Sequence, residues 1–564
     1  MADDLVSKYI SGRATDDEIA RLRAEIEADP SRVDDLFEAS ELERDLGEVF
    51  RGGKVVIARR KPWALIAAAA VVAIAVGGYI TLRRDSPLRV AVVDSVEGRV
   101  LRGGAPLAAG DVVVTGDRID AAGRVVLRYP DGTQLDLAPG TVAKDLAAEG
   151  GKRMTVERGS VTGDVPRQHA DQPLTLKTPE GEARVLGTRF TLSTATGVSR
   201  LNVDKGVVRL TRLADGKSAE VAAGQMAVAS AGAAPVARPS VSRMAPGTWL
   251  AVPETKMAAV APDAAAFPST RGTSGPGAVI GAWSGGAFDS RRGRLVLWGG
   301  GYSDYAGNEL YAFDVGALSW RRLTDPTPKP RLNEEANADG TPNSRATYNG
   351  LAYMAHADRF FALGGARAGN GFGCATPWTF DFGAANWSTL PTSGSTPASG
   401  LGAVCSADPA TRKLWWGDSS GTYSLDGDRW TKHSSDDWYY FTGAIDPKRG
   451  LWILVGNGKV YAVDVRGGVA SRQAWTTTGG DAFIAKTNVG LDYDPKRDRI
   501  VGWAGGPVYT LDPETKIWTA TDAPGAPSPT PNGIFGRWRY VPAVDAFVVV
   551  TAIDQDVHFF KPAK

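Results

Sequence analysis

The chain has 564 residues, 34 of them Pro and 67 Gly, with a formal net charge of +1, so it exceeds one ordinary domain and is rich in turns. The balance is uneven: residues 1–50 hold 15 Asp/Glu against 6 Lys/Arg, a local charge of 6 − 15 = −9, which disfavours direct nucleic-acid binding there and favours a basic protein partner. Only 2 cysteines occur, Cys374 and Cys405, which excludes a Cys-based metal framework in the N-terminal region and leaves open either one disulfide or two buried thiols.

Residues 3–50 predict about three short amphipathic helices. Leu5, Tyr9 and Ile10 mark the first, Ile19, Leu22 and Ile26 the second, and Val33, Leu36, Phe37, Leu42, Leu46 and Val49 the third. Thr15-x-x-Glu18 reads as a capping box, and Asp29-Pro30-Ser31 as a break and restart. So short a module buries little surface and should gain order from a partner, with Leu5, Tyr9, Ile19, Leu22, Ile26, Leu36 and Phe37 as the contact residues. The next element, residues 62–82, is 21 residues without a charge, long enough to span a bilayer, with Trp63 and Tyr79 near its ends. It starts far from the N-terminus, and Arg83-Arg84 stand where a cleavage site would need small residues, so it predicts a transmembrane helix and not a signal peptide. The basic residues before it (Arg51, Lys54, Arg59, Arg60, Lys61) slightly outnumber those after it (Arg83, Arg84, Arg89), which places the N-terminus in the cytoplasm and the rest across a bacterial inner membrane.

From residue 88 to 230 the pattern is all β. Val125, Leu127 and Tyr129 alternate, Asp131-Gly132 turns, and Leu135 and Leu137 resume the apolar face; Asp215-Gly216 makes a similar turn. No nucleophile–base arrangement or carboxylate cluster stands out, so neither catalysis nor a cofactor is expected. The motifs Gly116-Asp117-Arg118-Ile119, Asp131-Gly132-Thr133-Gln134-Leu135, Pro139-Gly140-Thr141, Thr178-Pro179-Glu180-Gly181, Val185-Leu186-Gly187-Thr188-Arg189-Phe190, Gly206-Val207-Val208 and Ala223-Gly224-Gln225 follow in order. Over about residues 90–230 the chain resembles the FecR family, transmembrane anti-sigma regulators of bacterial iron-uptake and cell-surface signalling systems. The resemblance implies a cytoplasmic module that binds an extracytoplasmic-function sigma factor, one membrane helix and a periplasmic β domain. No His-x₃-Cys-x₂-Cys run is present, so sigma binding would be zinc-free. Some such proteins cleave themselves at a Gly-Thr bond; Gly187-Thr188 matches that dipeptide, although a tight turn before a strand is the favoured reading.

Residues 230–246 and 257–276 have the Ala/Pro/Ser/Gly composition of flexible spacers. Beyond 247 the chain repeats. Six turn-and-strand copies begin at Asp289, His356, Asp408, Asp446, Asp494 and Pro542, most with a basic residue closing the turn. Five continue into an aromatic strand and a tryptophan strand: Leu310–Asp314 with Trp320, Trp378–Asp381 with Trp387, Thr422–Asp426 with Trp430, Val460–Asp464 with Trp475, and Val508–Asp512 with Trp518. The tryptophans are 67, 43, 45 and 43 residues apart, which predicts β-propeller blades, the first interval being stretched by the loop Thr324–Arg345. The sixth copy lacks its tryptophan strand, and residues 247–253, with Trp249, supply one from the other end of the repeat region. Gly299-Gly300, Gly364-Gly365 and the aromatic-to-tryptophan spacing resemble Kelch and galactose-oxidase-type propellers.

The predicted whole is multidomain and mainly β: a helical N-terminus (1–50), a transmembrane helix (62–82), a FecR-like all-β domain (88–230), a linker (231–246) and a six-bladed β-propeller (247–564). The tryptophans are expected to pack between blades. With His169, His356, His433 and His558 as its only histidines, the chain is a poor match to a copper oxidase. The loops Thr324–Arg345 and Gly369–Thr376, with Trp438, Tyr439 and Tyr440, are a candidate recognition surface for an envelope protein or a glycan, with structural packing of the aromatics as the alternative. The leading reading is a non-enzymatic sensor and anti-sigma regulator; the alternatives are a membrane-anchored envelope adhesion or scaffold protein, and a tethered propeller acting on glycans.

Overall fold

A computed structural model describes residues 88–563 apart from 196, 233, 399 and 468–471. The helical module and the apolar run 62–82 lie outside the described residues, as do the contact residues Leu5, Tyr9, Ile19, Leu22, Ile26, Leu36 and Phe37. Among the described residues no helix is long and apolar enough to cross a membrane.

The first described domain is built of two β-sheets around one apolar core. The alternation read at 125–137 is a hairpin: Arg124–Arg128 pairs antiparallel with Gln134–Leu137, Val125 opposite Leu137 and Leu127 opposite Leu135, all four fully buried. Asp131 Oδ1 accepts the Thr133 N–H at 3.1 Å to close the turn. One long strand, Arg153–Asp164, belongs to both sheets. Its first half pairs with Thr141–Ala147 and Leu174–Lys177, and its second half with Gln134–Leu137 and Arg189–Ala195. The switch falls at Gly159, where φ is +97° and a Cβ would sit 2.4 Å from the Thr141 Cα; only glycine allows that approach.

The second domain is a six-bladed propeller of four-stranded antiparallel sheets, blade 3 carrying one short extra strand. The inner strands of blades 1 to 6 are Gly286–Asp289, Leu351–Met354, Val404–Ala407, Thr442–Asp446, Gly490–Asp494 and Arg539–Val541. The ring closes as predicted: Thr248–Val252 pairs antiparallel with Val557–Lys561, Trp249 opposite Phe560, and becomes the outer strand of blade 6. The tryptophans pack against the preceding blade. Trp387 of blade 2 lies 5.0 Å from Trp298 of blade 1, and Trp249 of blade 6 lies 5.3 Å from Trp503 of blade 5. Blade 4 departs from this, because Trp475 falls one residue beyond the outer strand Arg472–Ala474 and is only half-buried.

The two spacer-like segments are anchored at particular residues. Arg238–Pro239 adds a short strand to the first domain, and Val241, 1 % exposed, belongs to one apolar cluster with Met226 and Val228 of that domain and Leu318 and Trp320 of blade 1. In the second, Met257 is fully buried, and the backbone oxygens of Thr255 and Val260 accept hydrogen bonds from Trp320 and Arg322 at 2.8 and 3.0 Å. The two cysteines are free and buried.

Candidate functional site

Each inner strand ends in a turn that leads to the second strand of its blade. The residue just before that second strand's basic or apolar start takes a positive φ in every blade: Gly293, Asp358, Arg412, Gly450, Asp498 and Asp545, at 65, 53, 65, 69, 56 and 51°. Aligned on this position, the six turns carry a repeated device. Arg449 of blade 4 donates to Asp446 of its own turn at 2.7 Å and reaches both oxygens of Asp498 in blade 5 at 2.7 and 2.8 Å. Tyr493 of blade 5 donates to the same carboxylate at 2.8 Å. Arg292 does the same to Asp358, with Tyr353, between blades 1 and 2, and Arg497 to Asp545, with Tyr540, between blades 5 and 6. These bonds hold the carboxyls of Asp358 and Asp498 far below the ordinary range, the arginine contributing most. The other three joints lack the pair. Blade 2 has Ala357 against Arg412 of blade 3, blade 3 has Thr411 against Gly450, and blade 6 has Val544 against Gly293.

These turns surround a cavity of about 750 Å³ to which all six blades contribute, so it lies on the propeller axis. Phe288, Tyr353, Cys405, Ile445, Tyr493 and Tyr540 supply one wall residue per blade, and Pro409, Pro447, Pro495 and Pro542 add apolar surface. The three tyrosines spend their hydroxyls on the interblade carboxylates, which fixes their rings. Arg539 and Asp492, 3.7 Å apart, are the charged pair within. Cys405 is 1 % exposed and burial pushes its thiol up to about 12, so it is a neutral wall and not a nucleophile. The other end of the axis is closed. The Tyr348 ring lies 5.8 Å from Tyr440 and 6.2 Å from Phe535, and rings from blades 2, 4 and 6 meet in this way only on the axis. Trp283, Tyr348, Tyr440 and Phe535 all sit at positive φ, 48 to 64°, a conformation bulky residues rarely hold unless packing imposes it.

The aromatic trio expected at a recognition surface divides. Trp438 is fully buried and donates its indole N–H to Thr422 at 2.7 Å within the core between blades 3 and 4, so it is a packing residue. Tyr440 joins the axial plug, and only Tyr439, 41 % exposed, faces outward. The loops around it do expose apolar side chains: Tyr302, Leu332 and Phe372. Gly187-Thr188 lies in the connection between strands Gly181–Val185 and Arg189–Ala195. The Thr188 hydroxyl is buried without a hydrogen-bond partner among the described residues. A single intact band on denaturing gels of freshly made protein is the outcome expected of a plain turn.

The axial cavity was missed in the sequence because its residues are scattered over 250 positions, one short turn at a time. A signal did exist: when the six turns are stacked, arginine in one copy is followed by aspartate at the next position of the next copy, three times.

The first domain docks on the same end of the propeller. Arg200 donates to Gly316 O at 2.8 Å and Arg238 to Leu318 O at 2.8 Å, both in the turn between the third and fourth strands of blade 1. In an antiparallel blade that turn and the turn lining the cavity lie at the same edge. Residues 111–209, within this docked domain, match the family model described as FecR protein. The chain carries a FecR domain. Two crystal structures of a candidate anti-sigma factor from Parabacteroides distasonis ATCC 8503 are similar in part. One is 16 % identical, with 24 % of this chain and 67 % of that one covered and a TM-score of 0.20. The other is 14 % identical, with 28 % and 70 % covered and a TM-score of 0.20. No curated protein matches the chain. The FecR domain is thus joined through Arg200, Arg238 and a shared apolar cluster to a propeller whose axial cavity opens beside it.

Proposed function

We propose that this protein is a membrane-spanning anti-sigma regulator of the FecR type. Its residues 1–50 would bind an extracytoplasmic-function sigma factor in the bacterial cytoplasm, and its propeller would sense a ligand or envelope partner in the periplasm. The observation that carries the reading is the FecR match at residues 111–209, placed after an acidic, helix-patterned segment and an uncharged run of 21 residues. Full-length protein expressed with a candidate extracytoplasmic-function sigma factor should co-purify with it, and deletion of residues 1–50 should abolish the complex. Retention of no such factor by the full-length protein would instead favour an envelope adhesion or scaffold role.

A further inference from the structure

Counted back from the positive-φ position of each turn, the six blades set two rings of side chains around the axial cavity. Five residues before that position stand Phe288, Tyr353, Ala407, Ile445, Tyr493 and Tyr540, all of which line the cavity. This ring is bulky and largely apolar in five blades. Its three tyrosines donate their hydroxyls to Asp358, Asp498 and Asp545 at 2.8, 2.8 and 2.9 Å, so their rings are held in place before any ligand arrives. One residue nearer the plugged end, blades 1 to 4 carry Ala287, Ala352, Ser406 and Ala444, small side chains that leave room below the bulky collar. Blade 3 alone breaks the collar, where the half-buried Ala407 leaves a gap.

The polar groups of the wall are already occupied. Asp492 accepts the Tyr493 N–H at 3.0 Å and the Tyr540 N–H at 2.9 Å, and it faces Arg539 at 3.7 Å. Asp408 accepts the Ala410 N–H at 3.0 Å and the Thr411 hydroxyl at 2.6 Å, and Lys413 pairs with Asp426 at 3.2 Å. Ser406 donates to Gly443 O at 3.1 Å and accepts the Trp452 indole N–H at 2.9 Å. His356 and Arg412 stand exposed at the rim. No buried side-chain nitrogen or oxygen of the lining residues is left without a partner among the described residues. Such a wall offers an ion nothing to offset its desolvation, whereas it receives an apolar body without penalty. The volume of about 750 Å³ is that of a small-molecule site.

We propose that the axial cavity binds an uncharged, mostly apolar ring compound, which enters past Ala407 and seats its ring within the collar of Phe288, Tyr353, Ile445, Tyr493 and Tyr540. Its role as the sensed ligand rests on the function proposed above, but its binding does not. Binding is measured on the protein alone, so its failure would leave co-purification of a sigma factor untouched, and failed co-purification would leave binding untouched.

The test is isothermal titration of full-length protein in lipid nanodiscs, with empty nanodiscs as the reference. The probes are indole and 2-naphthol, each beside its carboxylate (indole-3-carboxylate and 2-naphthoate) and beside D-glucose. At least one neutral aromatic should bind saturably with a negative heat-capacity change, and its carboxylate and glucose should bind at least ~10-fold more weakly. Ala407→Phe gives blade 3 the residue that blade 1 carries at this position, so it should keep its melting temperature within a few degrees. By closing the collar it should weaken binding at least ~10-fold. Phe288→Ala removes part of the collar from a half-buried position and should weaken binding about 5-fold. No saturable binding of either neutral compound, carboxylates or glucose binding as tightly, or unchanged affinity in both variants would overturn the proposal.

Discussion

At the scale of single residues, the interblade carboxylates do the most work per atom. Asp498 takes Arg449, Tyr493 and Lys448 at 2.6 to 2.8 Å while only 23 % of its side chain is exposed. Replacing it by Asn keeps the shape and removes the charge that three donors share. Asp498→Asn should cost roughly 1–3 kcal/mol, read as a lowered midpoint in urea. The sign of its pH dependence follows from the depressed pKa. A carboxyl held lower in the folded than in the unfolded state contributes stability that is complete above about pH 4 and is lost progressively as pH falls further. The gap between wild type and Asp498→Asn should therefore narrow below about pH 4, and a gap constant with pH would refute the assignment. Gly159 is the other decisive single position. With φ at +97° and Thr141 in the way, Gly159→Ala should destabilise the FecR domain by about 2–4 kcal/mol. Thermal melting of that variant should show a lowered midpoint.

At the scale of elements, the closing strand Thr248–Val252 is what turns a row of blades into a ring. Its Trp249, 8 % exposed, touches Trp503, Trp538 and Phe560 within 5.2 to 5.8 Å, so it fills the joint between blades 5 and 6. Trp249→Ala should cost about 3–5 kcal/mol, and deletion of 247–253 should destabilise the entire propeller, because an unpaired Val557–Lys561 edge is left behind. Unchanged melting in the deletion would show that the strand is not a closure. The turns of the blades divide into three clasped joints and three open ones. Blade 3 lies between two of the open ones, which is where the exposed Arg412 stands.

At the scale of the whole molecule, the FecR domain and the propeller share an apolar cluster and two part-buried arginine contacts. Arg200 is half-buried, and desolvation lowers its pKa, so its bond to Gly316 O is made at a desolvation cost that a loose tether would not carry. The two domains should unfold together in calorimetry. The double variant Arg200→Ala with Arg238→Ala should separate them into two transitions, and a single unchanged transition would mean that the contact does not couple them. This contact also gives the proposed sensing role a physical path, since the blade-1 turn that holds the FecR domain lies at the same edge as the axial cavity.

How much of this was legible beforehand depends on the range of the interaction. Alternation of period two set the 125–137 hairpin, and the tryptophan spacing set the blades and even their closure by Trp249, because strand faces and repeat units are local patterns that need no partner to be recognised. The anchoring of 231–246 through Arg238–Pro239 and Val241 was not legible, since Ala and Pro look alike in a tether and in a segment that docks at a few points. Nor was the burial of Trp438, whose neighbours in the sequence, Tyr439 and Tyr440, point to solvent and to the axis. The sequence by itself determined the elements, the six-fold repeat and the charge polarity along the chain. Only the tertiary structure decided which side chains meet on the axis, because Cys405, Asp492 and Arg539 become neighbours through ring closure alone.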